Sequence, residues 1–432
     1  MGKHRILFAT TAVVVAAGLA LTGCSSGSSG SSAKGSASLD GKVTGHITFQ
    51  TWNLKAGYKD YFDGLIDDFE KAHPGTSVSW VDQPADNYAQ KLQSQVTSGT
   101  LPDVINTAPD LAYPLAQAGA LVDLSTADAK AKSTYLEKAW DSTSYSGAQK
   151  GTFGYPWYLS TGPTFYNKKL MTEAGLDPAN PPKTYEDMLA DAVTVGEHEK
   201  GARYLWGSIP SLMDLAQNGV QLMNSDQTKF TFATDKSADI LNDFKKAYEA
   251  KGILPAGLSS TYTGVGDAFM SGQIIMNSGN AYDLANFQKN APDLAANLGI
   301  GPAFTTTGSA EMNVQEISLS SKSKNLPTAA AFAKFVTDSE NQLAFAKIVN
   351  IFPSTNGALE DDFFTKQDGT LNTQLRVDSA TQVKTATSYR PPMFTAAMET
   401  YTQQQFADAI LGKTTVKQAL QNAEDKCNQL NG

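Results

Sequence analysis

The chain has 432 residues, 41% of them hydrophobic and 18% charged, with a formal net charge of −9. That composition is an ordinary globular one with room for two or three domains, and it excludes disordered, collagen-like and disulfide-scaffold classes. The acidic balance excludes a surface that coats nucleic acid or clings by charge to an anionic membrane, because both partners require a basic patch.

At the start of the chain, Lys3 and Arg5 precede an apolar run from Ile6 to Leu21, which Leu21-Thr22-Gly23-Cys24 closes. The run is short for a membrane span, which needs about 20 apolar residues, and it has the charged start and small-residue exit of an export signal. Residues 1–23 are therefore expected to be a signal peptide. Leu-Thr-Gly-Cys resembles the lipobox of bacterial lipoproteins, which implies cleavage before Cys24 and a lipid on that residue. Ser25 to Ser38 contain eight serines and three glycines. Such a stretch stays solvated, so 24–44 reads as a lipidated cysteine and a tether reaching about 20 Å. Loss of Lys3 and Arg5 takes the net charge from −9 to −11.

From Gly45 onward short strand-like runs alternate with amphipathic helices. Ile47 to Trp52 alternates as a strand, and Tyr61, Phe62, Leu65, Ile66 and Phe69 then recur at helical spacing until His73-Pro74-Gly75 stops them. Val78 to Val81 is the next strand, Tyr88, Leu92 and Val96 mark a helix ended by Gly99, and Pro102 to Ile105 resumes strand character. After a break near Gly154-Tyr155-Pro156, Thr184 and Asp187 sit as in a capping box, and Ile240, Leu241, Phe244, Ala247 and Tyr248 form a helical face. Ile274 to Met276, Leu298 to Ile300 and Ile317 to Leu319 read as buried strands, and Ala330 to Val336 as a packed helix. Cys427 follows Val416, Ala419, Leu420 and Ala423 at helical spacing, which predicts a packed, inert thiol with no disulfide partner once Cys24 is lipidated. Strands alternating with helices imply an α/β fold with a largely parallel sheet covered on both faces.

Chemistry-bearing constellations are scarce. Three histidines remain beyond the signal, His46, His73 and His198, and no His-x-x-x-His, Cys-x-x-Cys or His-Glu-x-x-His occurs, so zinc has no recognisable ligand set. No Walker A sequence or Gly-x-Ser-x-Gly elbow stands in the mature chain. Asp60, Asp63, Asp67 and Asp68 fall mostly opposite the apolar stripe of their helix, as a solvated face does. A pair of distant carboxylates for glycoside hydrolysis stays open on sequence grounds, with nothing pointing to one. Aromatics do stand beside polar residues where segments end: Trp52-Asn53, Trp157-Tyr158, Tyr204 with Trp206, Tyr282, and Tyr389-Arg390 followed by Phe394. In open α/β sheets ligands bind beyond the strand ends, and aromatic faces next to polar groups suit a sugar, with its apolar faces and hydroxyl rim. Core packing is the other reading of each aromatic.

The order of these segments resembles the extracellular solute-binding proteins of sugar ABC transporters, the cluster that includes maltose-binding protein. The likeness runs over essentially the whole mature chain. Its landmarks are Ile47 to Trp52, Phe69-Glu-Lys-Ala-His-Pro74, Ser98-Gly-Thr-Leu-Pro-Asp-Val104, Ala118-Gly-Ala-Leu-Val-Asp-Leu124, Gly154-Tyr-Pro156, Phe165-Tyr-Asn-Lys-Lys169, Pro182-Lys-Thr-Tyr-Glu-Asp-Met188 and Phe269 to Met276. The resemblance implies a class II periplasmic-binding-protein-like fold of two discontinuous α/β lobes joined by hinge strands, lobe one being 45–155 plus 300–350 and lobe two 156–299 plus 351–432. It implies a mono- or oligosaccharide in the cleft, an ABC permease as partner, no enzyme activity, no metal or cofactor, no nucleic acid, a monomer, and anchorage to the outer face of the cytoplasmic membrane in a Gram-positive bacterium. Carried over position by position, Trp52, Asn53, Asp110, Trp157, Tyr158, Trp206, Arg390 and Phe394 are expected at the sugar. The usual Gly-x-Trp is replaced by Gly279-Asn280-Ala281, so that Tyr282 either takes over the stacking ring or the platform is missing. Two rivals carry weight beside this reading: the same fold with a non-sugar solute, and a secreted carbohydrate-active enzyme.

Overall fold

The computed structural model describes residues 38–431 apart from residue 260. The expected signal peptide, Cys24 and the tether as far as residue 37 lie outside the described residues. The last part of the expected tether is docked: Leu39 and Val43 pack on the core, and Thr44 exchanges two hydrogen bonds with the Thr328 hydroxyl at 2.9 and 2.7 Å.

Among the described residues the strands run in chain order as β1 (Gly45–Trp52), β2 (Thr76–Gln83), β3 (Val104–Thr107), β4 (Ser144–Tyr145), β5 (Gly151–Thr152), β6 (Tyr155–Ser160), β7 (Thr164–Asn167), β8 (Met276–Ser278), β9 (Leu298–Gly301), β10 (Asn313–Leu319) and β11 (Phe352–Pro353). A six-stranded sheet has the order β11-β6-β10-β3-β1-β2, and a three-stranded sheet the order β8-β7-β9. The pairs of β1 with β2 and β3 are parallel; β10 runs antiparallel to β3 and β6, β11 to β6, and β7 to both its neighbours. The large sheet is therefore mixed rather than largely parallel, because strands that return from the other half of the chain enter against the direction of β3, and the small sheet is antiparallel throughout. Strand pairing also shifts the expected lobe boundaries: Tyr155–Ser160 and Phe352–Pro353 complete the large sheet, and Leu298–Gly301 completes the small one.

The large sheet is covered on both faces. On β1, Ile47 and Phe49 point toward the helices Lys55–Ala72 and Leu326–Val336, where Phe62, Leu65, Phe69 and Phe332 are buried. Asp60, Asp67 and Asp68 of the first helix are exposed, as their spacing predicts. Gln50, with the opposite strand parity, faces the helix Tyr88–Ser98 and bonds to Gln95 at 3.1 Å. Gly99 ends that helix at φ +67°, a left-handed position that costs glycine little. In the small sheet, Phe165 and Tyr166 are neighbours on β7 and enter different cores. Thr184 caps the helix Tyr185–Glu199, its hydroxyl accepting from the Asp187 amide at 3.0 Å. The helices Ala396–Ile410 and Val416–Asn431 pack against each other around Phe406, Leu420 and the fully buried Cys427.

Candidate functional site

β1 ends on Trp52, and the chain must turn at once into the helix Lys55–Ala72. Asn53 makes that turn at φ +54°, a conformation asparagine tolerates, while Asp82 on β2 accepts from the Leu54 and Lys55 amides at the helix start. The turn leaves the Trp52 ring stacked on Tyr88, centroids 5.9 Å apart and 24° between planes. Tyr88 is pinned by its hydroxyl, which donates to the Asn106 carbonyl at 3.0 Å. Burial raises that hydroxyl well above the ordinary tyrosine range, so it remains a donor.

This aromatic pair lines a cavity of about 510 Å³ whose wall also carries Asp110, Glu311, Gln315 and Arg390. Asp110 sits in the first turn of the helix Pro109–Gln117, where the helix dipole favours a carboxylate. Arg390 spends one guanidinium nitrogen on the Phe394 carbonyl and Glu399, both at 3.1 Å, and its Nε lies 3.9 Å from Asp110, too far for a hydrogen bond. That Nε and the Trp52 Nε1 are buried donors with no partner among the described residues. Glu311 accepts from the Tyr389 amide at 2.9 Å, yet removal from water pushes its pKa up to about 8, so at neutral pH it is largely a neutral group able to donate. A second cavity of about 580 Å³, lined by Asp141, Ser144, Gln221, Asn224 and Tyr389, shares Ser388, Arg390 and Pro392 with the first. Arg390 thus stands where the two adjoin. Among the described residues no group of three or more His, Cys, Asp or Glu is placed to hold a metal ion.

Of the residues singled out in the sequence, Trp52, Asp110 and Arg390 meet in this cleft. Asn53 is an exposed turn residue beside it. The others are corrected by their surroundings. Trp157 is 1% exposed on an interior strand, stacked on Phe345 at 5.4 Å and 7°, because β6 has strands on both sides and helices over it. Tyr158 packs edge-on against Trp157 at 4.8 Å and lines neither cavity. Trp206 lies in the core beneath the small sheet, 5.6 Å from Phe304. Phe394 is 1% exposed and supports the site from below, its ring 5.2 Å from the Arg390 guanidinium. Tyr282 is 80% exposed on the second residue of the helix Ala281–Asn290 and lines neither cleft cavity. Tyr88, Glu311 and Gln315 were not legible as site residues: Tyr88 reads as the apolar start of a helix, and the other two follow a segment with no periodic signal.

These lobes and this cleft define a class, the two-lobed (class II) periplasmic-binding protein fold. Residues 55–343 match the family described as bacterial extracellular solute-binding protein, and the chain belongs to that family. The sn-glycerol-3-phosphate-binding periplasmic protein UgpB of Escherichia coli is 25% identical over 322 residues, 66% of this chain and 69% of that protein. Among solved structures, the sugar-binding protein MalE from Xanthomonas citri superimposes with a TM-score of 0.74 at 16% identity, over 90% of this chain and 97% of its own. The cyclic alpha-maltosyl-1,6-maltose binding protein from Arthrobacter globiformis gives 0.71 at 20% identity, over 90% and 99%. At such identities the structural likeness carries the fold. The family and these neighbours are binding proteins.

Proposed function

We propose that the chain is the receptor of an ABC importer for a sugar, an oligosaccharide, which it binds between its lobes and delivers to a membrane permease. Held by a lipid on Cys24 at the outer face of the cytoplasmic membrane, it works as a monomer. The observation that carries this reading is the Trp52–Tyr88 platform set against Asp110, Glu311, Gln315 and Arg390, with the Trp52 and Arg390 donors lacking a partner among the described residues. An apolar ring face and convergent hydroxyl-binding groups are what a pyranose requires. A phosphate ester, the ligand in UgpB's name, fits this wall less well, because its single guanidinium already faces Glu399 at 3.1 Å and Asp110 at 3.9 Å. Calorimetry with maltose, maltotriose, cyclic oligosaccharides and sn-glycerol 3-phosphate tests the reading. Saturable sugar binding without turnover, weakened by Asp110→Ala and Trp52→Ala, supports it. Binding of the phosphate ester alone, or release of product from a sugar, sinks it.

A further inference from the structure

A third cavity, of about 350 Å³, shares no lining residue with the cleft. Ser160, Thr161 and Pro163 line it where the chain leaves the large sheet for the small one; the helices Ala281–Asn290, Ser339–Val349 and Leu371–Val383, with the caps Asn280 and Asn350, supply most of the rest, and Phe352 of β11 and Phe363 of the short helix Asp362–Thr365 complete it. Its composition is unusual for a chain of net charge −9: the lining holds Lys347 and Arg376 and no Asp or Glu. Lys347 has Asp361 at 3.4 Å outside the lining. Arg376 has no carboxylate within 4.0 Å among the described residues. Its Nε donates to the Phe363 carbonyl at 2.5 Å, and its guanidinium lies 3.9 Å from the Phe363 ring. The plane is therefore fixed while the two Nη groups have no protein partner among the described residues. Thr161, 4% exposed, likewise has a hydroxyl with no partner among the described residues.

A half-buried guanidinium held over an aromatic ring, with its outer fork unspent and no acid in the wall, is arranged for a planar or tetrahedral oxyanion. Apolar surface stands beside it at Pro163, Phe352 and Leu375. We propose that this cavity is a second binding site, for a small organic anion whose carboxylate or phosphate group sits on the Arg376 fork and whose carbon body lies against those three residues. Asp283, which accepts from the Asn280 amide at 2.8 Å, spends its charge on the adjacent helix start and leaves the cavity to the cations.

The test is calorimetric titration of the purified chain with benzoate, phenyl phosphate and the neutral benzamide. One saturable site for benzoate or phenyl phosphate is expected, with benzamide at least tenfold weaker; the tighter of the two anions names the headgroup. Arg376→Gln should weaken the anion at least tenfold. Ala285→Phe, made at an exposed lining position so that folding is spared, should do the same by filling the space. Asp110→Asn in the sugar cleft should leave the anion affinity unchanged. Absence of anion binding, equal binding of benzamide, or unchanged affinity in Arg376→Gln or Ala285→Phe overturns the proposal.

Discussion

Glu316 is fully buried in the middle of β10, with one carboxyl oxygen accepting from the Thr107 hydroxyl at 3.1 Å and the other without a partner among the described residues. Burial, reinforced by the negative Asp110 nearby, pushes its pKa from 4.5 up to about 8. Because the folded-state value lies above the unfolded one, the unfolded chain binds fewer protons throughout that interval. The stability Glu316 contributes is therefore fully present below pH 4.5, declines as pH rises, and levels off above about 8. The limiting slope is about 1.4 kcal/mol per pH unit, so up to about 4 kcal/mol separates pH 5 from pH 8. Glu316→Gln removes the titration and keeps the shape. Urea unfolding of both proteins at pH 5, 6, 7, 8 and 9 isolates the effect, because Glu311, which titrates in the same range, cancels in the difference. The variant should gain on the wild type with each pH unit up to 8 and no further. A constant difference from pH 5 to 9 would refute the reasoning, since it would mean that the buried carboxyl titrates as it does in water.

Gly154, just before β6, marks the same place from the other side: a Cβ there would stand 2.6 Å from the Glu316 carboxyl carbon. Gly154→Ala should cost about 1–3 kcal/mol by overpacking, measured by urea unfolding, and Glu316→Ala should relieve part of that cost in the double variant. The two tryptophans should separate binding from folding. Trp52→Ala is expected to weaken sugar affinity about fivefold, or about 1 kcal/mol, with little loss of stability, whereas Trp157→Ala should cost about 3–5 kcal/mol of stability; the reverse pattern would remove Trp52 from the site. In a chain carrying Cys24→Ser, the Cys427 thiol, raised by burial to about 11, should react with an aromatic disulfide at pH 8 only as the protein unfolds. Rapid labelling of the native protein would contradict its placement beneath Thr402.

Much of the framework was legible because periodicity and end signals agree locally. The Ile47 to Trp52 alternation, the Phe62, Leu65 and Phe69 stripe and the stop at Gly99 each appear within a few residues of their expected bounds. The site was legible where a strand or helix end forces a side chain outward, as at Trp52 and Asp110, and at Arg390 in the irregular segment between two helices. Trp157 and Trp206 misled because an aromatic beside a polar residue looks the same in sequence whether its strand ends at a cleft or continues beneath helices. Strand order decides between these outcomes, and β10, which places Gln315 at the cleft and makes β6 an interior strand, lies more than 150 residues from β6 in the chain. Nothing local announces such a pairing.

The same strand order governs when this protein can fold as it is made. β10 is the wedge between β3 and β6, and the helix Leu326–Val336 covers the β1 face, so the large sheet has no complete core until three quarters of the chain has been synthesised. Contacts of such long sequence separation form slowly, because the intervening loop entropy must be overcome first. An N-terminal fragment ending before Asn313 therefore exposes the unpaired edge of β3 and the apolar faces of Ile47 and Phe49. The growing chain stays open until late in synthesis, the state in which a polypeptide is still able to thread through a narrow pore.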